Sequence, residues 1–209
     1  MAERAAPSGV ADGSGAPTFR SIGELAELCG HYCWVERQVF ELTGSRASRP
    51  ETGDPDAGEA EVRVLLSEMS ARHGLFAAQW HDRLPVRAGV DAEALIDPPP
   101  GPVGEALDLI AAAPRLVLVL GGLATQFLPW LRDAYGRDLA QASPVSEAPV
   151  RALLGWCALS LGQEIRLAGL LLQRLAPDGE GARSVESFGG RVKRLLGSAA
   201  DTFPGARAS

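Results

Sequence analysis

Hydrophobic residues along most of the chain recur every three or four positions, and no stretch alternates between hydrophobic and polar residues with a period of two. The first pattern is typical of amphipathic helices, and the second is typical of strands. Ser21 precedes the first hydrophobic stripe and is followed three residues later by Glu24, which is the spacing of a helix-capping box. The sequence therefore predicts an all-α protein with helices at about 21–44, 59–84, 103–112, 114–142, 146–175 and 184–198.

Three segments lack a hydrophobic period and are rich in small, polar or proline residues, namely 1–17, 45–58 and 200–209. Such segments bury too little apolar surface to offset the entropy of ordering them, so we expect them to be disordered. Residues 18–199 are then expected to form one helical domain. Four long helices that each present one apolar stripe predict an antiparallel up-down four-helix bundle, with an additional helix at the C-terminal end. Pro129, inside the fourth of the six helices, predicts a kink.

The composition is that of an ordinary globular protein. Of 209 residues, 46% are hydrophobic and 22% are charged, which excludes a wholly disordered chain. The net charge of -6 provides no long-range attraction to nucleic acid or to an anionic membrane surface, and we expect neither as a partner.

The most apolar stretch of the chain, 116–131, contains only sixteen residues, whereas a helix that spans a bilayer needs about twenty. We therefore expect a buried helix there rather than a membrane hairpin. The N-terminal segment lacks the apolar run of a secretory signal, and the three cysteines lie in helical patterns rather than in a disulfide framework. These features predict a cytoplasmic protein.

Three ionisable residues point into the predicted core. Glu36 lies roughly 40° from Tyr32 on the apolar stripe of its helix, and His73 and Glu164 each occupy a position in the packing seam of theirs. Each residue is near the middle of its helix, so the bundle is expected to bring all three to one level, and Gln126 lies at a similar depth. A buried carboxylate without a partner costs several kcal/mol.

Two interpretations of these inward groups remain open. In one, they hold a metal ion. In the other, they make structural polar contacts, in which Glu36 pairs with His73 or an arginine and Glu164 reaches a helix edge or Arg151.

Inward Glu36, His73 and Glu164 on long helices make the chain resemble the ferritin-like superfamily of di-iron and di-manganese carboxylate proteins. The resemblance implies a glutamate from each of two helices, a Glu-x-x-His pair from each of the other two, and an iron or manganese cofactor. Gln126 would occupy the carboxylate position of one helix. The chain departs from the motif at position 70, which is Ser rather than Glu, and at position 167, which is Leu rather than His.

Two functions follow from this pattern, and the sequence leaves open whether the protein is an enzyme. The first is a non-catalytic binding or interaction protein that has the bundle without an intact di-metal motif. Trp34 faces away from the core stripe of its helix and indicates a contact with the last helix, with another protein or with a second subunit. In that case we expect His73→Leu to leave folding unchanged or to stabilise it. The alternative is a metal-dependent oxidase or hydroxylase with a reduced site.

Overall fold

A computed structural model describes residues 20–49, 57–86, 89, 91–177 and 179–197. Its elements, in chain order, are α1 (Ile22–Ser48), α2 (Ala57–His81), a 3-10 turn (Glu93–Leu95), α3 (Val103–Ala111), α4 (Leu116–Gly122), a π-helical segment (Leu123–Phe127), α5 (Leu128–Gln141), α6 (Ala148–Leu175) and α7 (Gly179–Gly197). Every regular element in these ranges is helical, which confirms the all-α prediction. The segments predicted as disordered tails, 1–17 and 200–209, lie outside the described residues.

The start of α1 has the predicted capping box. The backbone N–H of Glu24 donates to Ser21 Oγ at 3.2 Å, and the Glu24 carboxylate accepts from the backbone N–H of Ser21 at 2.8 Å. At the other end α1 is longer than predicted, because it continues through residues 45–48. There Ser48 Oγ donates to the Gly44 carbonyl one turn back, at 2.9 Å, so these polar residues are satisfied within the helix.

The long helix predicted over 114–142 is interrupted. The π-helical segment lies between α4 and α5 and ends two residues before Pro129, which is the second residue of α5. Proline has no N–H to donate to the carbonyl four residues earlier, and its ring crowds that carbonyl, so the helix must bend or widen nearby. The irregularity expected at Pro129 therefore takes the form of a wider turn in front of it.

The helix directions follow from contacts between their ends. Arg63 of α2 donates to the Ala47 carbonyl near the end of α1, at 3.0 Å, so α1 and α2 are antiparallel. Arg174, near the end of α6, pairs with Glu61 near the start of α2, so these two helices are antiparallel as well. At the α5–α6 turn, Arg151 donates to the Leu139 carbonyl at 2.6 Å. Because α5 and α2 both run opposite to α6, they run in the same direction.

The predicted strict up-down alternation is therefore wrong between the second and third long helices. The connection from residue 82 to residue 115 is long enough to return along the bundle before α4 begins. A short hairpin would have forced antiparallel neighbours, whereas a long crossover allows parallel ones.

Buried side chains from all of the main helices form one hydrophobic core. α7 covers α4 at a close approach, since a Cβ on Gly121 would lie 2.7 Å from the Val185 side chain. Trp34 packs against α3, where its ring lies 3.6 Å from the position of a Cβ on Gly104. The structure therefore places α3, a helix not among the partners expected for Trp34, against its ring. Within the described ranges, no helix combines the length and the hydrophobicity needed to cross a membrane.

Candidate functional site, a buried ion-pair network

The structure brings Glu36, His73 and Glu164 together between α1, α2 and α6. All three side chains are fully buried. The imidazole lies between the two carboxylates, with His73 Nδ1 bonded to Glu36 Oε2 and His73 Nε2 at 3.5 Å from Glu164 Oε2. We call these three residues, together with Arg72 and Tyr135 described below, the central network.

Local sequence explains why these residues point inward. Glu36 follows Tyr32 by one turn and precedes Val39, so it shares the buried stripe of α1. His73 lies between Met69 and Phe76 on the buried face of α2. The antiparallel packing of α2 on α6 then brings His73 to the level of Glu164.

Arg72 completes the charge balance of the central network. Its guanidinium reaches from the bundle surface, where the side chain is 32% exposed, to within 3.1 Å of Glu164 Oε1. Burial alone lowers the pKa of His73, but the negative charge of Glu36 and the bonds to both carboxylates outweigh it and raise the pKa to about 10. The imidazole is therefore a cation at neutral pH, and two positive charges face two carboxylates.

The remaining oxygen of Glu36 accepts a hydrogen bond from the hydroxyl of Tyr135 on α5. Trp80 Nε1 donates in turn to the Tyr135 oxygen at 3.3 Å. Burial, and then the charge of Glu36, raise the pKa of Tyr135 well above its usual value, so the phenol keeps its proton and acts as a donor. Tyr135 is not among the site residues predicted above, although Leu128, Leu131, Tyr135 and Asp138 have the spacing of one helix face.

Gln126 does not take the place expected for it. It is half-buried, and its Nε2 donates to Thr125 Oγ1 at 3.3 Å on the side that faces α7. It belongs to the π-helical segment, whose wider turn rotates side chains away from the positions that an α-helix predicts. The helix that follows the π-helical segment, α5, therefore contributes Tyr135 to the central network instead.

A second polar cluster lies one turn from the central network, towards the start of α1. The hydroxyl of Tyr32 donates to Asp138 Oδ2 at 2.6 Å, and Arg20 pairs with Asp138 Oδ1 at 2.6 Å and with Glu147 Oε2 at 3.1 Å. The rings of Tyr32 and Trp80 stack with centroids 4.9 Å apart, which connects the two clusters. Arg20 thus fastens the start of α1 to the α5–α6 turn.

Arg151, the partner considered for Glu164, is engaged elsewhere. It donates to the carbonyls of Leu139 and Ala142 at 2.6 Å and 3.1 Å, and so caps the C-terminal end of α5. Of the two interpretations given above, the pairing of Glu36 with His73 is the contact present in the structure, and Arg72 replaces Arg151 at Glu164.

The iron or manganese centre implied by the ferritin-like resemblance does not fit these donors. Both imidazole nitrogens of His73 face carboxylates, and the Arg72 guanidinium lies beside Glu164, where it would repel a cation. In the part of the chain that the structure describes, no three or more His, Cys, Asp or Glu residues are grouped so that they could hold a metal ion. We therefore derive no chemistry through a metal.

No family model, no curated protein and no solved structure matches this chain. The central network and the surface of the helices are therefore the features from which a function is inferred.

Proposed function

We propose that this chain is a ferritin-like helical-bundle protein without a di-metal centre, and that it acts as a non-catalytic binding protein through its outer surface. The ferritin-like assignment is supported by the helix directions, with two antiparallel pairs joined by a single long crossover between α2 and α4. The observation that carries the functional proposal is the internal charge balance of the central network.

Two carboxylates in a dry core need about two compensating positive charges, because an unpaired buried charge costs several kcal/mol. In a metal protein, a divalent cation supplies them. Here the His73 imidazolium and the Arg72 guanidinium supply them, each within ion-pair distance of Glu164 or Glu36. These two side chains balance the charge of both carboxylates, although, among the described residues, His73 Nε2 and both Glu164 oxygens make only ion-pair contacts and no hydrogen bond. A cation bound between Glu164 and His73 would have to displace one of the two positive side chains.

The lack of solvent access to the central network supports the same proposal. Glu36, His73, Glu164 and Tyr135 are all fully buried, so a substrate would reach them only if the bundle opened. The outer surface of α2 and α6, in contrast, carries several exposed large hydrophobic side chains. They include Val64, Leu75, Trp156 and three leucines of α6. Exposed apolar surface of this kind is typical of binding sites for other proteins.

The test is metal analysis combined with thermal unfolding. Protein purified without chelator is expected to contain well under one equivalent of iron, manganese or zinc. Its melting temperature is expected to change by less than 1 °C with added Mn²⁺, Fe²⁺ or EDTA, because a ligand shifts stability only if it binds the native state. Glu36→Gln, which removes one carboxylate charge, serves as the matched variant.

The alternative is a metal-dependent oxidase or hydroxylase with a reduced site, and the same experiment separates the two. A metal present at one hundred times its dissociation constant stabilises the native state by about 2.7 kcal/mol, which is roughly 5–11 °C for a chain of this size. A shift of that size in the parent protein that disappears in Glu36→Gln would overturn the proposal in favour of the metal enzyme.

A further inference from the structure

Large apolar side chains recur along the outward face of α6, and the charged residues Arg166 and Arg174 are exposed beside them and towards the end of the helix. Trp156, Leu159, Leu167 and Leu170 are 42%, 68%, 43% and 56% exposed, respectively, and Gln163 is exposed between them. At about 100° per residue these five side chains lie within an arc of roughly 80°. None of the five is charged. We call this row of five residues the α6 seam.

The α6 seam is symmetric about its centre. Trp156 and Leu170 are each seven residues from Gln163, and Leu159 and Leu167 are each four residues from it. The spacing of these positions is the same in both directions, although one end position is Trp and the other is Leu, so the row aligns with itself when one helix is turned end to end. The interface that a two-fold axis generates requires this property, because each residue i that contacts residue j is repeated as j contacting i.

We propose that the α6 seam binds a second copy of this chain, with the two α6 helices antiparallel and a two-fold axis passing beside Gln163. In that arrangement Leu159 meets Leu167 of the second copy, and Trp156 meets Leu170 of the second copy. The two Gln163 amides face each other, and each can donate to and accept from the other. A polar pair at one position of an otherwise apolar seam fixes the register, since a shift would leave both amides against hydrocarbon.

The neighbouring helix enlarges the contact. Val64 and Leu75 of α2 are 61% and 48% exposed, and a groove of about 580 Å³ lies between α2 and α6 with Val64, Leu167 and Leu170 in its lining. Because the two-fold axis lies in the plane of contact, α2 of each copy falls on the same side of the α6 pair. Four helices then contribute apolar surface to the contact, and stable interfaces bury roughly 800 Å² per partner.

This inference names the partner in the binding function proposed above and rests on it. The two proposals are tested by different measurements, because the oligomeric mass of the protein in solution does not depend on its metal content. A monomeric protein without metal would overturn the dimer and leave the proposal for the central network standing. A dimeric protein that binds metal in the bundle would do the reverse.

Disulfide trapping tests the position of the axis. Cys29, Cys33 and Cys157 are buried, so an added surface thiol reports its own surroundings. Gln163→Cys is expected to form a disulfide-linked dimer under mild oxidation at least tenfold faster than Gln173→Cys. The latter is the matched control, because Gln173 is exposed on the same helix but would lie about 30 Å from its counterpart along the paired helices. Equal rates for the two variants would overturn the proposed register.

Sedimentation velocity tests the contact itself. The parent chain is expected to have the mass of a dimer at micromolar concentration. Leu170→Glu, which places a carboxylate against the indole of Trp156 of the second copy, is expected to raise the dissociation constant at least tenfold. Val145→Glu, at an exposed position outside α6, is expected to leave it unchanged. A monomeric parent chain, growth beyond a dimer, or the same loss in both variants would overturn the proposal.

Discussion

Replacement of His73 by leucine is the sharpest test of the central network. If the imidazole had no electrostatic role, this change would leave the fold unchanged or stabilise it, as the sequence alone suggests. The structure reverses that expectation, because the imidazolium lies between Glu36 and Glu164 with one nitrogen towards each. Leucine fills most of the volume but leaves the Glu36 carboxylate without a cation. It leaves Glu164 with Arg72 alone.

The magnitude follows from the cost of breaking a buried ion pair by removing one partner, which is about 3–5 kcal/mol. The cavity contribution is small, since the two side chains are of similar size. A domain is stable by roughly 5–15 kcal/mol in total, so the variant is expected to lose about a fifth or more of its stability. For a chain of about two hundred residues this corresponds to a melting temperature lower by roughly 6–20 °C.

The assay is urea unfolding at pH 7 followed by far-ultraviolet circular dichroism. His81→Leu is the matched control, because His81 is partly exposed and pairs with Glu93 at the surface at 3.3 Å. A surface pair of this kind contributes at most about 1 kcal/mol. A triple variant with Glu36→Gln, His73→Leu and Glu164→Leu removes the unpaired charges and is expected to return to within about 2 kcal/mol of the parent. A His73→Leu protein as stable as His81→Leu would refute the network as described.

Two further outcomes are expected. Because the pKa of His73 is raised to about 10 in the folded state, its contribution to stability is fully present below about pH 6.5 and is lost as the pH rises to 10. The unfolding free energy of the parent should therefore fall more steeply over this window than that of the triple variant, and equal slopes would contradict the charged imidazole. Gly30→Ala places a Cβ 1.9 Å from the Leu95 carbonyl oxygen and is expected to destabilise the protein by more than 1 kcal/mol in thermal unfolding. In contrast, Gly136→Ala, with nothing within 4 Å of its Cβ, should stabilise the protein by up to about 1 kcal/mol. A Gly30→Ala protein more stable than the Gly136→Ala protein would contradict the packing of α1 against the 3-10 turn.

Sequence was sufficient to indicate that Glu36, His73 and Glu164 point inward. A helix has a fixed period, so the side of the helix on which a residue lies is a local property of the chain. The same test applied to α5 would have found Tyr135 and Asp138, which share the face of Leu128 and Leu131. Both residues were therefore predictable from the sequence alone.

Other features depend on packing between helices. Arg72 precedes His73 and lies at the edge of the buried face of α2, and only the position of α6 beside it brings Glu164 within reach of the long guanidinium side chain. The displacement of Gln126 depends on a π-helical segment in front of Pro129. A proline indicates a break in a helix, but the sequence does not determine whether the break is a kink or a wider turn. The direction of α5 was likewise undetermined, because the long connection before α4 permits either direction.

The structure also explains the two departures from the ferritin-like motif, at positions 70 and 167. Ser70 Oγ donates to the Phe40 carbonyl at 2.9 Å and lies 2.8 Å from the position of a Cβ on Gly44, so a glutamate at position 70 would press on α1. Leu167 belongs to the exposed α6 seam, and a histidine there would face the outside of the bundle. Glu at position 70 and His at position 167 are therefore not expected to form a metal centre in this fold. The positions that the motif would use for metal ligands serve here in helix packing and on the outer surface, while Arg72 and His73 balance the carboxylates in the core.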